Sequence, residues 1–420
     1  MKITLDLRFN FGVLSKLLFV IYVLYSFFFR YAFFAVSGLS YALLIIAIVP
    51  QLIHDRFRLR CNKSLLALLI FVLYTFISGV FVAKDFERLF STLLSFIECL
   101  GVFYLIACYV QSDGKPDFSM AVFIAQALLL AYFVVFRGVG DKRISVSEAL
   151  NVNSIGGSLT FAIGYILYLL IQKNNRPVKW IFGIASIAVM LVGIMLTSSK
   201  KAIIGSAVLI FLWIILCYRF TFARIHLILR MIAFISIIAV GVFVYRWYMS
   251  SYAQQAEYMI NRMGGLYIGE SDQARIKMIK EGISVFFSHP IFGVGFNNAR
   301  FYISFATYTH CLYAEVLACT GVIGTVLFGY AIIRPWRIML RVRKKIKKQD
   351  SIQNTRIIYL LTIFAVFLLI NLTQIAFYEH NLMYIYSVFT AFAAELNISN
   401  KSLDANNEMG RSFAVIPSII

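Results

Sequence analysis

Runs of about twenty apolar residues, separated by short polar or basic stretches, recur along nearly the whole chain. A helix rises about 1.5 Å per residue and satisfies its own backbone hydrogen bonds, so each run can cross a hydrocarbon layer about 30 Å thick. The pattern predicts about twelve spans: 12–29, 31–53, 64–83, 90–111, 119–136, 158–172, 180–197, 203–218, 226–248, 311–333, 357–378 and 382–397. The first follows a short polar stretch, with no small-residue cleavage site before the next span, and is expected to be a retained helix. No soluble domain is expected at either end. The chain then divides into nine spans over 1–248, an outward-facing loop over 249–310, three more spans over 311–398 and a cytoplasmic tail over 399–420. The fold class is all-α, a polytopic membrane protein.

Composition agrees, with 61% hydrophobic and only 14% charged residues, outside the range of soluble domains. A net charge of +20 would point to nucleic acid in a soluble protein, but here its placement decides. With the N-terminus in the cytoplasm, HDRFRLRCNK, KNNRPVK, RFTFAR and RPWRIMLRVRKKIKKQD all fall on the cytoplasmic side, as the positive-inside rule requires. The densest run, Arg334 to Lys348, reads as an anchor against anionic lipid, and no nucleic-acid partner is expected. The six cysteines lie mostly inside spans without paired spacing, so no metal, disulfide or cofactor is expected.

Outward connections are short in this topology, except 137–157 and the much longer 249–310. A long loop that is neither Pro/Ser-rich nor of low complexity is expected to be folded and to carry function. Within it, SDQARIKMIKEGISVFFSHP predicts an amphipathic helix opened by Ser271 and Asp272 and closed before Pro290. Ile276, Ile279, Ile283 and Phe286 share one stripe; Lys277, Lys280, Glu281 and Ser284 fall away from it. Such a helix lies on the membrane surface or over a cavity. Arg275 falls in its first turn, where the helix dipole disfavours a cation, which points to an anion nearby.

The outward side carries many other cations against the topological bias: Lys84, Arg88, Arg137, Lys142, Arg143, Lys200, Lys201, Arg246, Arg262, Lys277, Lys280 and Arg300. TSSKKAIIG is a tight connection that puts two ammonium groups at the hydrocarbon boundary. Either these side chains snorkel to lipid headgroups, or they converge with Arg275 on a polyanion. Pyrophosphate suits both arginine forks and lysine point charges, and its membrane-bound form would be a lipid-linked sugar. His310 stands alone at the mouth of an apolar run, where a solitary histidine is most often a hydrogen-bonded interfacial residue.

Four stretches, in this order, resemble the O-antigen polymerase and O-antigen ligase superfamily of bacterial cell-envelope enzymes. SEALNVNSIGG is similar to an Asn-rich start of a mid-chain helix, and LTSSKKAIIG to a Thr-x-Ser-Arg connection. ARIKMIKEGISVFFSHPIFGVGFNN is similar to an Arg, a helix and a His-Pro-Ile-hydrophobic-Gly-x-Gly turn. THCLYAEVLACTGVIG is similar to a His-Asn-x-Tyr-hydrophobic-Glu run ending in Gly-hydrophobic-hydrophobic-Gly. The chain departs from the family at Lys200, usually Arg, and at Cys311, usually Asn.

The resemblance implies a C-type glycosyltransferase (GT-C-like) architecture in the bacterial inner membrane, with 249–310 in the periplasm. It also implies metal-independent transfer from a glycan on undecaprenyl pyrophosphate. His310 would be the general base or the group orienting the acceptor. Arg275 and Lys200, with Lys201 and Arg88 as second choices, would bind the pyrophosphate; Asn153, Arg300 and Glu315 complete the candidate substrate-binding set. Thr309 would cap the helix after His310, His289 would serve the turn, and His380 with Glu379 would stand at the cavity mouth as a minor candidate. Polymerisation of lipid-linked repeat units is the leading expectation, with the lipid-linked glycan, membrane lipid and a chain-length regulator as partners. The alternatives are ligation of the glycan to lipid A core and a lipid-linked oligosaccharide flippase or transporter. The lack of an internal repeat and the long loop on one side only weigh against the last.

Overall fold

The computed structural model describes residues 10–413 except 34, 37, 61, 140–142, 148–149, 172–176, 218–245, 247–249, 251–252, 265–269 and 347–350. Among the described residues the chain is helical throughout, without a β-strand. Helix α1 (Phe11–Leu24) continues through a π-helical segment, Tyr25–Phe29, to Ala32. Then follow α2 (Leu39–His54), α3 (Lys63–Val82), α4 (Phe86–Asp113), α5 (Asp117–Arg137), α6 (Val152–Leu170), α7 (Pro177–Thr197) and α8 (Lys200–Cys217). The loop region carries α9 (Ala253–Gly264) and α10 (Glu270–Ser288), and the chain ends with α11 (Leu312–Ile346), α12 (Ser351–Ile370) and α13 (His380–Phe413).

Ten described helices are long and apolar enough to cross a membrane, as a polytopic protein requires, while α2, with 16 residues, is shorter. The span expected over 226–248 lies outside the described residues. The span expected over 31–53 starts later, at Leu39. The aromatic run YSFFFRYA carries α1 on to Ala32, and Gly38, at φ 78°, opens α2. Asn10, Asn62, Asp85 and Asn151 start α1, α3, α4 and α6, each side chain accepting backbone N–H bonds of the first turn.

The bundle has two unlike ends. At one, Lys16 pairs with Asp113 at 2.8 Å, Arg60 with Asp55 at 2.6 Å and Arg356 with Asp117 at 3.5 Å, and the basic end of α11 arrives there. At the other end lie the connections around 83–85, 143–151, 198–199, 289–310 and 371–379, which carry the family-like motifs.

Two of those motifs form one locked piece. Helix α11 breaks at Gly321 (φ 63°, ψ −165°), which strips Ala318 and Cys319 of their usual intrahelical partners. Their carbonyls accept instead from Val294 N at 3.1 Å and Gly295 N at 3.0 Å, and Val322 N donates to Pro290 O at 2.8 Å. A Cβ on Gly321 would sit 2.2 Å from Ile291 O, and one on Gly293 2.4 Å from the Cys319 carbonyl carbon. Only glycine permits this approach. Asn298 then accepts Asp85 N at 2.8 Å, tying the turn to the start of α4.

Helix α10 docks on this piece through Met278, Gly282 and Val285, with Gly282 against the Thr309 side chain. Half of the stripe seen in the sequence points elsewhere: Ile276 and Ile283 are exposed, as is the neighbouring Phe287, while Ile279 and Phe286 are half-buried. An apolar face turned away from the protein, on a helix held by a glycine contact, fits a helix lying against lipid.

Candidate functional site

The turn before α11 holds His310 in left-handed backbone (φ 57°), a conformation that costs a non-glycine residue about 1–3 kcal/mol and so must be imposed by its surroundings. The means are visible. Glu315, fully buried, accepts Thr309 N on one carboxylate oxygen and the Tyr378 hydroxyl on the other, both at 2.9 Å. Leu312 N donates to Asn371 O at 2.9 Å, and Thr309 Oγ1 donates to Cys311 O at 2.9 Å and accepts Cys311 N at 3.4 Å, bracing the turn ahead of α11 without reaching an N–H of its first turn. The Tyr308 ring lies 4.3 Å from the imidazole, centre to centre. Ser198 (φ 49°) and Asn297 (φ 57°) are left-handed too, so three of the four motif stretches each carry such a residue.

Two cations from separate segments, Arg275 and Lys201, act on this histidine, and Arg143 acts in turn on Lys201. Arg275, on α10, lies 3.6 Å from Asp272 of its own helix and is half-buried. Lys201, at the start of α8, donates a hydrogen bond to Gln374 Oε1. Arg143 donates from Nη2 to Asn153 Oδ1 at 2.9 Å and from Nε to Thr197 O at 3.0 Å, and Ser199 Oγ lies 3.2 Å from the same Asn153 oxygen. Arg143 thereby stitches the SEALNVNSIGG and LTSSKKAIIG stretches together. Gly156 lets α6 and α8 meet there, since a Cβ on it would lie 2.9 Å from Ala202 Cβ.

The charges register on the histidine. Burial, then Arg275, then Lys201 lower the His310 pKa to about 4, so the imidazole is neutral at physiological pH. Arg275 and Arg143 also lie within electrostatic reach of Lys201, with Glu379 as its counter-charge. Glu379 is half-buried, and desolvation pushes its carboxyl pKa up despite a hydrogen bond from Ser154 and the pull of Lys201. The site therefore gathers a surplus of positive charge around a neutral base.

The residues singled out from the sequence separate into groups. His310, Arg275 and Lys201 come together. Lys200, which matches the family's Arg, is half-buried, and its neighbour Lys201 is the lysine whose charge acts on His310. Glu315 and Asn153 are committed to protein partners and shape the site from behind. Arg300 donates to Asn297 Oδ1 at 2.9 Å and acts electrostatically on Tyr308 and Tyr378, which places it at the rim. Arg88 stays at the start of α4, 3.4 Å from Asp85. His289 packs its ring edge-on against Tyr302 in the turn. Lys142 lies outside the described residues.

Sequence reading did not assign Arg143, Gln374, Tyr378 and Ser154. Their signal is modest: polar groups in NLTQIAFYEHN, between two apolar runs, a serine in SEALNVNSIGG and one arginine in the 137–157 connection.

Comparison with known families matches residues 185–329, roughly a third of the 420-residue chain, to a family model described as O-antigen ligase. The matched region runs from within α7 through the Gly321 break and contains three of the four motif stretches. It supports the O-antigen polymerase and ligase superfamily, and with it a multi-pass membrane enzyme of the glycosyltransferase kind. Comparison with curated proteins finds no match.

Proposed function

We propose that this chain is an inner-membrane polysaccharide polymerase, joining undecaprenyl-pyrophosphate-linked repeat units on the periplasmic face. The single observation that carries the reading is the gathering of Arg275 and Lys201, from distant parts of the sequence, around the neutral imidazole of His310. The basic connections at the opposite end of the bundle support a periplasmic orientation of this end.

In the proposed reaction, the donor's diphosphate lies against Arg275 and Lys201, with Lys200 and Arg300 at the margin. A hydroxyl of the acceptor sugar attacks the donor's anomeric carbon while the bond from that carbon to the phosphate oxygen breaks. The hydroxyl proton passes to His310, and the electron pair leaves on the diphosphate, whose charge the cations stabilise. A diphosphate leaves without being protonated, so neither a general acid nor a metal is required. His310 is neutral before the proton arrives, as a base must be.

The match to an O-antigen ligase family favours a second reading, ligation of the glycan to lipid A core, which uses the same chemistry with another acceptor. Deletion of the gene separates the two. A polymer ladder that collapses to a single repeat on the core supports the polymerase; long polymer stranded on the carrier means ligase, and unchanged glycan overturns both.

A further inference from the structure

Beside the cationic cluster lies a cavity of about 250 Å³ of a different character. Its walls include Tyr31, Asn151, Ser154, Tyr308, Glu379 and His380, and among the described residues no lysine or arginine lines it. Behind His380, Glu98 is a carboxylate only 2% exposed in the middle of a long apolar helix. His380 Nε2 lies 3.2 Å from Glu98 Oε2, and the Tyr22 hydroxyl donates to Glu98 Oε1 at 2.9 Å. Next to it, Asn381 donates to Ser158 Oγ at 2.8 Å, fixing the first turn of α13. A buried carboxylate in such a helix is expensive and is retained where it holds a functional partner in place.

We propose that this cavity is a sugar subsite, taking the terminal sugar of the acceptor, and that Glu98 positions His380 as a hydrogen-bonding group for a sugar hydroxyl. The proposal rests on the transferase reading above. Aromatic faces with carboxylate, amide, hydroxyl and imidazole groups suit a hydroxyl-rich, uncharged ring; the lack of lining cations and the presence of Glu379 make the cavity unfavourable for phosphate. The division of labour follows from charge: diphosphate on the side of Arg275 and Lys201, sugar on the side of His380 and Glu379. Tyr308 and Glu379 belong to both, since Tyr308 also stacks near His310 and Glu379 faces Lys201. A sugar in the cavity would thus lie next to the proposed base.

The test reads binding rather than turnover, on the full chain in lipid nanodiscs. One probe is undecaprenyl pyrophosphate without sugar; the other is the oligosaccharide released by mild acid from the strain's own lipid-linked repeat. His380→Gln and Glu98→Gln are each expected to weaken the oligosaccharide about tenfold or more, the loss of one well-placed hydrogen bond, while carrier binding stays within about threefold. Arg275→Ala is expected to do the reverse. Glu98→Gln keeps the volume and an acceptor for Tyr22, so it guards against misfolding in the His380 variant. Wild-type protein that does not bind the oligosaccharide, variants that bind it unchanged, or loss of both probes together would overturn the subsite. Failure of the transferase reading is seen separately, in wild-type protein that binds both probes yet never elongates a lipid-linked repeat.

Discussion

At the level of single residues the account turns on His310. Replacing a general base typically costs about 10² to 10⁴ in rate, roughly 3–5 kcal/mol of transition-state stabilisation, so His310→Ala is expected to lose turnover on that scale with little change in melting temperature. Its pH behaviour has a definite sign. The free protein's imidazole has a pKa lowered to about 4 by burial, Arg275 and Lys201, so it stays neutral and active until the pH approaches that value. The acid limb of kcat/KM is therefore expected near 4 instead of the ordinary value near 6.5. Bound diphosphate offsets Arg275 and Lys201, which raises the proton affinity of His310 and strengthens it as a base. The acid limb of kcat, which reports the complex, is accordingly expected at higher pH than that of kcat/KM; coincident limbs near 6.5 would contradict this electrostatic picture. Arg275→Ala removes a cation from the developing charge and is expected to cost about 10² to 10³ in kcat.

At the level of elements, the break in α11 decides whether the site forms. Gly321→Ala places a Cβ in the space of Ile291 O and asks alanine to hold φ 63°, ψ −165°, which is expected to destabilise the locked turn by about 1–3 kcal/mol or more. Thermal unfolding in detergent checks it, and an unchanged melting temperature would mean that α11 does not break there. The helices themselves were legible in the sequence, because a run of apolar residues is a local property and a membrane imposes its length. The break was not, since TGVIG is indistinguishable in sequence from a packing pair of glycines until the HPIFGVG turn is seen to donate Val294 N and Gly295 N to it. The face of α10 was only half legible for a related reason. Its isoleucine stripe follows helical periodicity faithfully, yet Gly282 sets which side touches protein, because only there can Thr309 come close. Motif order singled out His310 and Arg275, which the fold brings within electrostatic reach of each other. The closeness of Lys201 to His310, and the contacts of Arg143, Gln374 and Glu379, depend on segments far apart in the chain, to which no local pattern responds.

At the scale of the whole molecule, the bundle separates an end of basic connections from an end carrying the site, and the proposed periplasmic chemistry requires that the second face outward. In a Cys61→Ser background, a membrane-impermeant maleimide is expected to label Phe305→Cys in cells with a permeabilised outer membrane and to leave Phe57→Cys unlabelled; both side chains are exposed and they lie at opposite ends. The reverse pattern would put the site in the cytoplasm. The central claim, that cations hold the carrier's diphosphate while His310 takes the acceptor's proton, is tested most directly by comparing wild type and His310→Ala in nanodiscs supplied with purified lipid-linked repeat unit. The account predicts elongation by the wild type, and a variant that binds undecaprenyl pyrophosphate within about threefold of wild type but elongates at least about 10²-fold more slowly. Elongation by His310→Ala at the wild-type rate would contradict it.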